Sequence, residues 1–155
     1  MTTNPQVRIV AASIALAEYK SFGVYMCQAN RTFQPCSHLA FYENKRIYRV
    51  IPAIRSQVES VTLFDEEAVE KRDDIDTRTK AVLIYLVQKL REANNSRALE
   101  KSTEKVTLLS GIGDPDTIIL PHDIQHKQRY AFTQGHRYIA RDKLLANPMT
   151  TSELL

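Results

Sequence analysis

The 155-residue chain has no tryptophan, only two cysteines and four glycines, and no long apolar run. Nothing in it approaches the roughly 18 continuous apolar residues of a membrane-spanning helix. Cys27 and Cys36 form neither a C-x-x-C pair nor half of a recognisable zinc pattern. They read as free thiols in a reducing, cytoplasmic compartment, the one intramolecular alternative being a single disulfide between them. Gly111-Ile-Gly113 lacks the third glycine and the following helix of a phosphate cradle. Internal repeats and low-complexity tracts are absent as well. A net charge of +3 is too small to mark a nucleic-acid binder on its own.

What is present is an ordinary globular composition, 43% apolar and 25% charged, at a length that suits one domain with one core. The charge is unevenly spread. Residues 1–58 carry a local +5, residues 59–76 a local −6 with eight acidic side chains, and residues 121–143 a local +3. Should the two basic ends meet in space, they would make one positive face.

Residues 7–13 suit a buried strand and residues 16–21 a short helix stopped near Gly23. The apolar run 9–17 has the look of a signal-peptide core, but only Arg8 precedes it as a charge, so strand into helical turn is the reading. Residues 23–28 read as strand and 29–37 as loop. Residues 38–42 and 45–51 read as a hairpin around Glu43-Asn44, and 58–64 as a further strand. Asp76 suits a helix N-cap, and the chain from Thr77 through Ala93 reads as the single long helix. Leu83, Leu86, Val87 and Leu90 form its core stripe, while Val82, Ile84 and Tyr85 widen the apolar surface, so the helix is expected either to be covered on two sides or to help form a homodimer. Strands are expected over 105–110 and 117–120, with turn chemistry at 111–117 between them. A second hairpin is expected from 129–132 and 137–140, turning through 133–136. One helical turn should follow from Asp142, with loose residues after Pro148.

Two sets of residues invite a chemical reading. His122 and His126 stand at the i, i+4 spacing of helical zinc ligands, yet Pro121 and the neighbouring strands leave no room for that helix. They read instead as solvated loop histidines. Together with Asp114 and Asp116 they supply the alternative of a small metal-dependent nuclease or nucleotide hydrolase. Cys27, in a strand, reads as a buried structural thiol rather than a nucleophile. The other set is the pair of aromatic–basic hairpins, where Phe, Tyr and Arg alternate. Rings beside guanidinium groups are what stack bases and hold phosphates.

Gly23-Val-Tyr, a polar loop, and then Leu39-Ala-Phe-Tyr42 leading into an isoleucine-rich strand resemble the PUA-like superfamily, nearest to its EVE-type domains, relatives of ASCH and YTH domains. The resemblance spans about two-thirds of the chain. It implies an α+β fold, a small mixed β-barrel with one or two short helices, in which residues 65–95 are an inserted acidic loop and long helix. It implies a non-enzymatic module, without cofactor or metal, that binds DNA or RNA and suits a modified or flipped-out base. The chain departs from that family in having no tryptophan for the pocket, and it carries no ASCH-type Gly-x-Lys-x-x-x-Arg element. Tyr42, Arg49, Tyr130, Arg137 and Tyr138 are the expected ligand-facing residues, with Arg31 as a phosphate contact. Protein interaction through the long helix is the third expectation.

Overall fold

A computed structural model describes residues 5–29, 34–99, 101, 103–129, 132–135 and 138–154. In chain order they form β1 (Gln6–Ala11), α1 (Ala15–Phe22), β2 (Val24–Gln28), β3 (His38–Glu43), β4 (Arg46–Ile47), β5 (Val50–Ile51) and β6 (Ile54–Val61). There follow α2 (Glu66–Glu70), α3 (Thr77–Glu92), α4 (Ser96–Leu99), β7 (Glu104–Leu109), β8 (Ile118–Ile119), β9 (Ile124–Gln125), α5 (Phe132–Gly135), β10 (Tyr138–Ala140), α6 (Arg141–Leu145) and a closing 3-10 turn (Thr151–Leu154). The architecture is mixed α+β. Among the described residues no helix is long and apolar enough to cross a membrane.

The chain divides into two compact units, one of residues 1–23, 33–55 and 108–155, the other of residues 24–32 and 56–107. The first holds a curled five-stranded sheet in the order β10-β1-β3-β4-β9 and the short β5-β8 pair. Within that sheet β1 runs parallel to the central strand β3, with Val7 opposite His38 and Ala11 opposite Tyr42. On its other edge β1 pairs antiparallel with β10, Val7 opposite Ile139 and Arg8 opposite Tyr138. Val7, Ile9, Ala40, Ile47, Ile124 and Ile139 therefore share one face and anchor the core of this unit. Gly23 ends α1 in the left-handed conformation, φ +73°, and its N–H donates to the Tyr19 carbonyl at 2.8 Å.

Three local expectations need correction here. The first hairpin turns through Asn44 and Lys45, both left-handed at φ +52° and +57°, one residue later than expected and as a two-residue hairpin turn requires. Its second strand then breaks at Tyr48–Arg49. The Asp123 carboxylate accepts from the Arg49 amide at 2.8 Å, and the Leu120 amide donates to the Arg49 carbonyl at 2.9 Å, so β5 pairs with β8 instead. The second hairpin is not seen among the described residues: Phe132–Gly135 is helical, Phe132 is fully buried, and β10 finds its partner in β1. Nor is the C-terminal stretch loose. Gln125 donates to the Met149 carbonyl at 3.0 Å, and Leu154, 1% exposed, closes the core.

The second unit contains the three-stranded sheet β2-β7-β6, apart from the ends of β6 and β7 counted with the first, and α2 to α4. Residues 65–95 fall in this unit together with residues 24–32 and 56–64 before them and 96–107 after them. The Asp76 carboxylate accepts from the Thr79 amide at 2.6 Å and starts α3, whose buried stripe is the expected Leu83, Leu86, Val87 and Leu90. Val82 and Tyr85 are exposed, with the Lys89 ammonium 5.3 Å from the Tyr85 ring centre. Within the acidic run, Asp65 caps α2. Arg72 there binds Asp74 and the Glu59 and Ser60 carbonyls. The strand expected over 58–64 begins earlier, at Ile54.

Candidate functional site

Residues in register across a sheet point to the same side, and successive residues alternate. Tyr42 is opposite Ala11 and Tyr138 opposite Arg8; an odd step along β1 separates these partners, so the two rings lie on opposite faces. They are not neighbouring walls of one hollow. The Tyr42 ring packs inward, 5.7 Å from the His126 ring and 6.1 Å from Phe132. The Tyr138 hydroxyl accepts from Arg8 Nη1 at 2.6 Å and from the Gln34 amide at 3.0 Å. The Arg49 side chain is exposed and reaches the Pro121 carbonyl at 3.5 Å. Arg31, Tyr130 and Arg137 lie outside the described residues.

The histidines also differ from expectation. His126 is 3% exposed rather than solvated, its Nδ1 2.7 Å from the Thr151 hydroxyl, because the C-terminal turn folds over it. His122 is half-buried beside Asn147. Arg55 binds both Asp114 and Asp116 through separate nitrogens, at 2.5 and 2.8 Å. Among the described residues no three His, Cys, Asp or Glu side chains form a group that could hold a metal ion. Cys27 is buried and Cys36 half-buried, and no disulfide joins them.

The first unit does contain a pocket, of about 300 Å³, lined by His38, Ala53, Pro115, Asp116, Ile118, Arg141 and Leu145. A relay of hydrogen bonds builds its wall. The Ala53 amide donates to Ser110 Oγ at 2.8 Å, Ser110 Oγ lies 2.6 Å from Thr117 Oγ1, and Thr117 donates to the Gly111 carbonyl at 2.6 Å. Thr117 spends its proton on that carbonyl, so the Ser110 hydroxyl is the donor between them. The turn is tightened further by the Asp116 amide on Asp114 Oδ1 at 2.8 Å, the local capture for which Asp is favoured in turns. That turn presents Pro115 and Asp116 to the pocket.

His38 enters from the first residue of β3. Its Nε2 lies 3.1 Å from the Asp116 carbonyl, which only accepts, so Nε2 carries the proton. In the neutral ring Nδ1 then accepts from the Ser37 hydroxyl at 2.7 Å. Burial holds the His38 pKa below the usual histidine value, against the opposing pull of the Asp116 carbonyl, and the Arg141 and Arg55 charges add to the lowering. Ser37 does not line the pocket, so the pair fixes the imidazole and presents no nucleophile to a ligand.

Arg141 follows β10 at the start of α6 and is the distinctive group. Its Nε is buried without a hydrogen-bond partner, and no ion pair engages its guanidinium among the described residues. A guanidinium is a permanent cation with five donors and no acceptor, and among the described residues no oxygen accepts from its buried Nε. In the sequence Arg141 is one of several basic residues in the stretch 121–143, and His38 is the first residue of an expected strand. The basic run 121–143 was the one available signal; the contact between His38 and Asp116, 78 residues apart, leaves no local trace. No family model, curated protein or solved structure matches the chain.

Proposed function

We propose that the first unit binds nucleic acid without transforming it, as a PUA-like module would. The observation that carries this reading is an unpaired guanidinium in a pocket of a unit with excess positive charge. The first unit's sequence has eleven Lys and Arg against seven Asp and Glu, and the second has ten against eleven. Exposed Lys45, Arg46, Arg49, Lys127 and Arg129 belong to the same basic unit. Attraction of this kind is felt by the phosphate backbone whatever the sequence. Because Tyr42 and Tyr138 face opposite ways, the reading rests on charge and the Arg141 pocket and not on rings sandwiching a base.

Titration of single-stranded and duplex oligonucleotides over a range of salt concentrations tests it. Affinity should fall linearly on a log–log plot, and a flat or absent response would remove the reading. A second reading, self-association through α3, draws on exposed Val82 and Tyr85. Light scattering that shows a dimer in wild type and a monomer in Tyr85→Glu would favour it.

A further inference from the structure

The pocket narrows the part of a strand that can enter it. Its polar complement is sparse: both imidazole nitrogens of His38 are occupied, and the Asp116 carboxylate is bound by Arg55. Among the described lining residues, the strong group left with unused donors is Arg141. Ala53, Pro115, Ile118 and Leu145 supply apolar walls, and among the described residues no tyrosine or phenylalanine lines the space to stack a base. At about 300 Å³ it stands at the low end of small-molecule sites. A forked guanidinium matches two oxygens of a phosphate or carboxylate, and the match is stronger when the acceptor is charged. A phosphomonoester carries roughly −1.5 to −2 charges near neutral pH, more than the single charge of a phosphodiester within a strand.

We propose that this pocket is a subsite for a phosphomonoester, the terminal phosphate of a strand or of a mononucleotide, gripped by Arg141 with the sugar against Pro115, Ile118 and Leu145. The inference rests on the nucleic-acid reading for its choice of phosphate over carboxylate. It makes the protein a reader of strand ends: internal phosphates meet the exposed basic side chains, and the end group meets Arg141. His38, held neutral and hydrogen-bonded on both nitrogens, shapes the wall without competing for the ligand.

The test compares one oligonucleotide sequence with a 5′-phosphate, a 3′-phosphate or hydroxyls at both ends, and follows the Arg141 Nε–H resonance in the wild-type protein as AMP or acetate is added. One phosphorylated end should bind at least tenfold tighter than the hydroxyl form, AMP should compete and shift the Arg141 signal, and acetate should do so only weakly. Arg141→Lys, which keeps the charge and loses the fork, should remove most of the end preference. Equal binding of all three strands with no AMP shift overturns the phosphomonoester site and leaves nucleic-acid binding standing. An AMP shift with no oligonucleotide binding keeps the site and overturns the wider reading. Acetate acting as strongly as AMP overturns the assignment to phosphate, and silence from every probe overturns both.

Discussion

Arg55 holds Asp116 at 2.8 Å, and Asp116 is the acidic side chain that shares the pocket lining with Arg141. The same guanidinium also binds Asp114, so one arginine occupies both carboxylates of the 111–117 turn. That commitment leaves Arg141 without a counter-ion in a space partly walled by apolar groups, where a charge interacts more strongly than in water.

Arg55→Ala should therefore weaken nucleotide binding several-fold although Arg55 does not line the pocket. It frees two carboxylates beside the anion site. The double variant Arg55→Ala/Asp116→Asn should recover part of the loss. Titration calorimetry with AMP measures both, and unchanged affinity in the single variant would contradict the electrostatic account.

His38 makes stability depend on pH in a stated direction. In the unfolded chain its pKa is near 6.5, whereas in the fold burial, aided by Arg141 and Arg55 against Asp116, keeps it lower. The unfolded state thus takes up the proton first on acidification. The stabilising contribution is full above about pH 6.5 and is lost as the pH falls towards the lower folded value. Thermal unfolding should show Tm dropping over that interval, with a shallower drop in His38→Gln. An identical slope in the two proteins would count against this placement of the ring.

Tyr19 gives the alkaline counterpart. Its hydroxyl donates to the Ser110 carbonyl at 2.7 Å, and burial, with smaller contributions from Tyr48 and Asp114, pushes its pKa up to about 12. An unfolded tyrosine ionises near 10, so the stabilisation is complete below that pH and fades as the pH climbs to the folded value. Tyr19→Phe keeps the ring stacked on Phe41 at 5.3 Å but deprives the carbonyl of its donor, at a cost of roughly 1–3 kcal/mol. Urea unfolding measures the cost, and ultraviolet titration should lose its highest-pH tyrosine step in the variant.

The sequence was most legible where the signal is local. α3 repeats Leu83, Leu86, Val87 and Leu90 at helical spacing behind an Asp76 cap, and both features stand as read. Gly23 likewise marks the end of α1 because its φ of +73° suits a residue without a side chain. Strand 138–140 was readable as a strand, but its partner was not. The face that Tyr138 presents is decided by pairing with Arg8 at the other end of the chain. His126 looked solvated because the residue that covers it, Thr151, lies beyond a proline expected to end order. The pocket suffers from the same difficulty, since β3, the 111–117 turn and α6 each contribute to it and none announces the others.

The C-terminal turn can be weighed directly. Leu154 sits in the core with Leu144 and Ile124, and Leu154→Ala should cost about 2–5 kcal/mol through lost burial and the cavity left behind. Chemical denaturation reads this. A change below about 0.5 kcal/mol, as an exposed position gives, would mean that the last turn does not close the core.

The most direct measurement is the dissociation constant of one single-stranded oligonucleotide with a phosphorylated end, at several salt concentrations, for wild type, Arg141→Ala and Arg78→Ala. Arg78 is exposed in the second unit and serves as the charge-matched control. The account predicts at least tenfold weaker binding by Arg141→Ala, with the salt slope reduced by about one ion, and little change for the control. Equal effects of the two substitutions, or none from either, would contradict it.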